Sequence, residues 1–269
     1  MKLSLSGRLF EVEYRYCELS IEDFVSLAKD IGYQGVELRR TQVSPDTPRD
    51  EVERIRRTIK EAELEVTCIT LRGTSLEDEG TWELFERYVE LTGILGCRLM
   101  KVRGEPKMLR RAAEYAQRHG ITLAGNIHIR TPLETVSSAL KFLEEVGHEN
   151  YKLIYDPAHL FMAGEEYGPE AISELGGHIC YVTVQCPKRA SPEQGGFAYE
   201  HGLPREEETP DLVSVFRGLR KIGYRGWISV VEPKREDIES SELARVFYDR
   251  LVRYDPQGAH GEGSGLQEG

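Results

Sequence analysis

The sequence lacks any stretch of about 18 uncharged apolar residues, so it predicts no membrane-spanning helix. Its first residues, MKLSLSGRLFEVEYR, reach charged side chains too early to form the apolar core of a signal peptide. The five cysteines are widely spaced and form no CxxC pair, which is typical of reduced thiols and neither of a disulfide framework nor of a zinc knuckle. We therefore expect a cytosolic protein without a membrane partner.

The chain of 269 residues has fewer positively than negatively charged side chains, with 35 Lys and Arg against 46 Asp and Glu. Its net charge is therefore -11. Such a chain repels the phosphates of nucleic acids, so we expect no nucleic-acid partner. The other fractions, 39% hydrophobic and 30% charged, are those of an ordinary globular protein. The length suits two average domains or one large barrel, so the order of elements has to decide.

Short apolar segments recur about every 25 to 35 residues, and a segment with helical periodicity follows each of them. This alternation predicts parallel βαβ units. The predicted strands are 3–5, 35–38, 66–71, 99–102, 122–127, 152–155, 179–184 and 227–231. Eight such units predict a single (β/α)8 TIM barrel over residues 1–254, followed by a disordered Gly-rich tail at 255–269. The connection 187–210 is long for such a barrel and indicates a lid or binding loop.

In this fold the side chains that act on a substrate stand at the C-terminal ends of the strands. These ends are unusually basic and carry Arg8, Arg39, Arg40, Arg72, Lys101, Arg103, Arg130, Lys188, Arg189, Lys234 and Arg235. Alternate residues of a strand share a face, so Glu37 with Arg39, and Lys101 with Arg103, are expected to point into one cavity. We interpret the ring of cations as a site for a phosphate or carboxylate group. The alternative is that these cations pair with carboxylates on the rim.

Four segments, IGYQGVELR, HGITLAGNIHIRTPLET, LIYDPAHLFMAGEE and GYRGWISVVEPK, resemble the xylose-isomerase-like barrels. That superfamily of sugar isomerases and epimerases also contains inosose dehydratases and zinc-dependent apurinic endonucleases. The similarity extends in order and spacing over nearly all of residues 1–250. It implies proton removal next to the carbonyl of a sugar-like compound. Family members typically hold one divalent metal with Glu, Asp, His and Glu from the fifth to the eighth strand, and the two Glu residues transfer protons.

These metal positions are only partly kept in this chain. Asp156 and Glu232 match the ligands after the sixth and eighth strands, whereas Asn126 and Thr183 stand where Glu and His are expected. An Asn cannot take up a proton near neutral pH, so proton transfer between two carboxylates is not available. A divalent metal, Mn, Mg or Zn, could still bind to Asp156 and Glu232, but the number of ligands slightly favours a site without metal.

We expect Glu232 to be the general base and Asp156 to stabilise the enediolate, while His159, which matches a family histidine that contacts substrate, returns a proton or orients a hydroxyl. The expected substrate-binding residues are Glu37, Arg39, Arg72, Lys101, Arg103, Asn126, His128, Arg130, Gln185, Arg189 and Lys234.

The main interpretation is an isomerase or epimerase acting on a small anionic sugar. Two alternatives stay open: a dehydratase or lyase acting on a keto-sugar or inositol derivative, and a non-catalytic barrel that binds sugar acids or sugar phosphates. A homo-oligomer is possible, and a nuclease is disfavoured by the acidic composition.

Overall fold

The computed structural model describes residues 1–70, 75–188 and 200–255. Within these ranges eight parallel strands close into a barrel, in which neighbours in sequence are neighbours in the sheet and the first strand pairs with the eighth. The strands are Lys2–Ser6, Gly35–Leu38, Glu65–Thr70, Leu99–Lys101, Thr122–Asn126, Tyr151–Tyr155, Ile179–Val184 and Trp227–Val230. The predicted (β/α)8 barrel is confirmed, and every predicted strand agrees with the structure to within about one residue at each end.

Nine α-helices lie in the described residues and connect the strands around the outside of the barrel. They are Ile21–Ile31, Arg49–Glu61, Trp82–Ile94, Pro106–Arg118, Val136–Val146, Pro157–Ala163, Pro169–Leu175, Leu212–Lys221 and Ser240–Tyr254. The first shows why these segments are helical. The Ser20 side chain accepts the Asp23 N–H at its start, and Gly32 ends it with φ 111°, a conformation that favours glycine. Its buried face, including Phe24 and Ala28, packs toward the barrel.

The barrel interior has an apolar layer and a polar layer. The apolar layer consists of Cys68, Leu99, Ala124, Ile154 and Tyr181. The hydroxyl of Tyr181 lies 2.7 Å from Oγ1 of Thr67 and donates to Oε2 of Glu37 at 3.4 Å. Tyr181 therefore connects the apolar layer with the polar side chains at the C-terminal ends of the strands, where its hydroxyl would be costly without partners.

Two features near the ends of the first strand and the last helix do not follow from periodicity. The segment after the first strand forms a hairpin of Glu11–Val12 with Tyr16–Cys17, and two-residue strands are too short to show a period. Asp255, the first residue assigned to the tail, is buried, and its Oδ2 lies 2.9 Å from the amino nitrogen of Met1. The folded part therefore includes this residue, and the predicted tail at 256–269 lies outside the described residues.

The described residues also bear on two expectations drawn from composition. All five cysteines have free thiols. No helix within the described ranges combines the length and the apolar character needed to span a membrane.

Gly35 begins the second strand at a close approach between strands. A Cβ atom there would lie 2.4 Å from Cγ2 of Thr67 and 2.9 Å from the carbonyl oxygen of Glu65. We predict that Gly35→Ala lowers the free energy of unfolding by about 1–3 kcal/mol, because the buried strands have to move apart. The control Gly93→Ala, on an exposed helix position with no atom within 4 Å, should raise it by roughly 0.5–1 kcal/mol. Urea unfolding measures both, and a Gly35→Ala variant as stable as the wild type contradicts the prediction.

Candidate functional site

Glu37, Asp156 and Glu232 are carboxylates buried at the mouth of the barrel formed by the C-terminal ends of the strands. Glu37 and Asp156 each expose 2% of their surface and Glu232 exposes 0%. An ionised carboxylate buried to this extent is costly unless donors surround it, so the donors define the site. Of the predicted substrate-binding residues, Gln185 donates to Asp156 and Arg39 lies near Glu37, while main-chain N–H groups, hydroxyl groups and His201 face the carboxylates at the other contacts.

Asp156 follows the sixth strand and caps the short helix after it, with Oδ1 accepting the Ala158 N–H at 3.1 Å. Its Oδ2 accepts the Thr183 hydroxyl at 2.9 Å and the Gln185 amide at 3.2 Å. Burial raises the pKa of Asp156, while the hydrogen bond from Thr183 and the positive charge of Lys101 oppose that rise. The structure thus gives Asp156 both the capping role and a place in the mouth of the barrel.

His159 lies beside Asp156 and is neutral. The Gln185 amide nitrogen, which donates to Asp156, lies 3.3 Å from Nε2 of His159, and we assign the tautomer in which Nε2 accepts and Nδ1 carries the hydrogen. Burial, followed by the neighbouring His128, lowers the pKa of His159 to about 2. Its Nδ1 is buried and has no hydrogen-bond partner among the described residues. His159 is therefore suited to donate a hydrogen bond to a substrate oxygen.

The residues after the fifth strand lie against His159. The ring of His128 stacks on it with centroids 3.7 Å apart, and Nδ1 of His128 lies 2.7 Å from the carbonyl oxygen of Ile129. The Asn126 amide donates to the Ile127 carbonyl at 2.9 Å. Within the described part of the chain, its buried Oδ1 has no hydrogen-bond partner. Asn126 and His159 thus present an acceptor and a donor in one region, which suits the hydroxyl groups of a polyol.

Glu232 is held by the connection that follows the seventh strand. Its Oε2 accepts the Cys186 N–H at 2.8 Å, and its Oε1 lies 2.6 Å from Nδ1 of His201. Neither atom completes a hydrogen bond within the described part of the chain, so the two form a close polar pair. Sequence reasoning did not include His201 in the site. The length of the connection 187–210 was the only signal that pointed to it.

Glu37 and Lys101 bring opposite charges into the barrel. Oε1 of Glu37 accepts the Ser6 hydroxyl at 3.2 Å and the Thr70 hydroxyl at 3.4 Å. Burial lowers the pKa of Lys101, and the negative charge of Glu37 opposes that effect. Lys101 thus places a half-buried ammonium group within the electrostatic reach of Glu37 and Asp156.

The expected ring of free cations is largely paired with carboxylates. The pairs are Arg8 with Glu11, Arg39 with Glu11 and Glu37, Lys188 with Glu206, Lys234 with Glu18 and Arg235 with Asp237. The acidic excess of the chain is the physical reason for carboxylates near these five cations. For Arg39 and Lys234 the pairs agree with the alternative of ion pairs on the rim, and their role in substrate binding stays a prediction. Arg103 and Arg130 are exposed on the rim, and Arg72 and Arg189 lie outside the described residues.

The donors at the metal positions do not fit the four-ligand site that the resemblance implies. The Thr183 hydroxyl is a poor ligand for zinc or manganese, and it donates to Asp156 at 2.9 Å. Oε2 of Glu232 accepts the Cys186 N–H, and its Oε1 lies 2.6 Å from Nδ1 of His201. No group of three His, Cys, Asp or Glu side chains in the described residues is arranged to hold a metal ion.

The sequence as a whole is similar to known proteins. The family model described as "Xylose isomerase-like TIM barrel" matches residues 25–250. An inosose dehydratase of Mesomycoplasma hyopneumoniae (strain J) is 21% identical over 263 residues, which cover 84% of this chain and 85% of the relative. An inosose dehydratase of Geobacillus kaustophilus is 27% identical over 161 residues, which cover 54% of this chain and 51% of the relative.

Solved structures share the fold. The probable 3-DHS dehydratase AsbF of Bacillus anthracis superposes with a TM-score of 0.76 at 20% identity, covering 94% of this chain and 99% of its own. D-psicose 3-epimerase in the presence of D-fructose gives a TM-score of 0.77 at 14% identity, covering 97% of this chain and 100% of its own. At these identities the likeness concerns the fold alone.

The neutral state of His159 predicts a pH dependence of stability. Its pKa falls from 6.5 to about 2 on folding, so below pH 6.5 the unfolded chain takes up a proton that the folded chain does not. The free energy of unfolding is therefore expected to fall by up to ~1.4 kcal/mol per pH unit below that point. His159→Gln should lose less stability than the wild type between about pH 7.5 and pH 5, whereas the exposed control His178→Gln should keep the wild-type slope. Urea unfolding at both pH values measures this, and equal slopes for His159→Gln and the wild type contradict it.

The donor set also predicts how the protein responds to metal removal. We expect EDTA treatment, and later addition of Mn²⁺, Mg²⁺ or Zn²⁺, to shift the Tm by less than about 1 °C, because Asn126 and Thr183 replace two of the four expected ligands and the described residues form no other group of three ligands. Elemental analysis of the purified protein should find less than one metal per chain. A stoichiometric metal whose removal lowers the Tm by several degrees would show that Asp156 and Glu232 do form a metal site.

Proposed function

The chain belongs to the family of xylose isomerase-like TIM barrels, and from the donors at its barrel mouth we propose that it is a lyase that removes water from a keto-polyol. The substrate class is a keto-sugar or keto-inositol, small enough to enter a barrel mouth. The curated relatives that match most of this chain carry the name inosose dehydratase, which supports water elimination over isomerisation.

The observation that carries the proposal is the asymmetry of the two proton-transfer positions. Glu232 is present after the eighth strand, whereas Asn126 fills the matching position on the fifth strand. Isomerisation and epimerisation of the family type use a carboxylate at both positions, and an amide cannot take up a proton near neutral pH. Elimination of water needs one base for the C–H proton and returns that proton to the departing hydroxyl. The arrangement therefore supports the dehydratase over the isomerase expected as the main interpretation.

In the first step of the proposed reaction, the base in the Glu232–His201 pair removes the proton from the carbon next to the carbonyl. Negative charge then develops on the carbonyl oxygen. We propose that the half-buried ammonium group of Lys101 stabilises this charge, since a cation held where the charge develops lowers the energy of the transition state. The hydroxyl on the next carbon then leaves as water with the abstracted proton, and a carbon–carbon double bond forms.

The remaining polar atoms are proposed to orient the substrate. The unpartnered Oδ1 of Asn126 accepts a substrate hydroxyl, and Nδ1–H of His159 donates to another oxygen. For His159 this supports the orienting role of the two that the sequence left open. An anionic group on the substrate would face Lys101 and the exposed Arg103, both at the end of the fourth strand, because Arg39 and Lys234 are already paired.

The reaction can be followed by NMR in D2O with neutral and carboxylated keto-polyols. We expect loss of one water per turnover and a conjugated enone product. Glu232→Gln should lower the rate at least about 100-fold, because the Glu232–His201 pair loses its carboxylate. The exposed control Glu236→Gln should not change the rate. Deuterium uptake next to the carbonyl without loss of water would indicate an isomerase or epimerase. Saturable binding without exchange or turnover would indicate a non-catalytic binding barrel.

A further inference from the structure

His201 is fixed over the end of the eighth strand by main-chain hydrogen bonds. It pairs with Pro187 in an antiparallel bridge. On one side of it the Gly202 N–H donates to the Cys186 carbonyl at 2.7 Å. The guanidinium group of Arg235 also donates to the Gly202 carbonyl at 2.9 Å. The position of the imidazole therefore depends on anchored backbone rather than on a free loop.

Glu232 itself is closed off from a substrate. It exposes 0% of its side chain, one oxygen accepts the Cys186 N–H, and the other faces His201 at 2.6 Å. A general base has to come within hydrogen-bond distance of the proton that it removes. Glu232 would have to lose one of these two contacts to do so. His201, in contrast, keeps 21% of its side chain exposed.

We propose that His201 is the group that takes the proton from the substrate and that Glu232 is the residue that positions it. This inference rests on the proposed lyase function and names the catalytic residue of that reaction. Because Nδ1 of His201 faces the carboxylate, a hydrogen on Nδ1 is favoured and Nε2 keeps a free lone pair. A buried carboxylate orients the histidine of a Ser-His-Asp triad in the same way.

The step balances without any other reactant. The lone pair of Nε2 takes the proton from the carbon next to the carbonyl, and the electrons of that C–H bond form the enolate. The enolate then expels the hydroxyl of the neighbouring carbon as its C–O bond breaks. That hydroxyl leaves with the proton from Nε2, so one water is released and the imidazole is neutral again.

Two variants of His201 separate a base from a residue that only holds Glu232. His201→Ala removes both functions, whereas His201→Asn keeps an N–H donor close to the position of Nδ1 and lacks Nε2. If His201 is the base, both variants should lose about 10²- to 10⁴-fold in kcat, and added imidazole should restore part of the activity of His201→Ala. The exposed His178→Ala serves as the control and should keep wild-type activity. A His201→Asn variant with near-wild-type kcat would overturn the inference, because a positioning role would then suffice.

A measurement without substrate separates this inference from the proposed function. In protein labelled with ¹⁵N-histidine, the His201 signals of the wild type should show the hydrogen on Nδ1, and those of Glu232→Gln should lose this preference. A wild type with the hydrogen on Nε2 overturns the inference even if the enzyme eliminates water. If the hydrogen is on Nδ1 but the wild type exchanges no proton of any keto-polyol, the proposed function fails, and His201 is then not a base.

Discussion

The burial of negative charge inside the barrel is the constraint on which the rest of the site depends. Glu37, Asp156 and Glu232 have almost no exposed surface, and each ionised group needs donors that replace its lost hydration. The strands supply these donors in an ordered way, because side chains two residues apart point to the same side of the sheet. The hydroxyl of Thr183 and the amide of Gln185 reach Asp156 from the seventh strand for this reason. The C-terminal end of the barrel is therefore organised as a hydrogen-bonded network with little freedom to rearrange.

The strands, the barrel and the residues of the sixth to eighth strands could be predicted from the sequence. Alternation of apolar and helical segments is a local signal, and the position of Asp156 and Glu232 at strand ends follows from it. The pairing of rim cations could not be predicted in the same way. Lys234 meets Glu18 across most of the chain, and no periodicity relates two residues that far apart. Pro187 and His201 also pair within an irregular connection. Sequence periodicity predicts helices and strands, so it could not predict this contact.

Substitution at two positions changes the electrostatics of the family site rather than its shape. Thr183 donates its hydroxyl hydrogen to Asp156, and the Gln185 amide donates to the same oxygen, so neutral donors stabilise this carboxylate. On the fifth strand, Asn126 keeps an oxygen in place but cannot take up a proton near neutral pH. These two substitutions are the physical basis on which we propose elimination over proton exchange between two carbons.

The anchors on either side of residues 189–199 have a consequence for how such a protein can diversify. The Lys188 N–H donates to the Glu200 carbonyl at 2.6 Å, and the Cys186 carbonyl accepts the Gly202 N–H, so the chain re-enters the barrel mouth at a fixed point. Mutations or length changes within the enclosed stretch would then leave the imidazole of His201 where it is. Selection could therefore change the sequence between the anchors without moving the groups around Glu232. The two anchored ends separate variation in this stretch of sequence from the geometry at the end of the eighth strand.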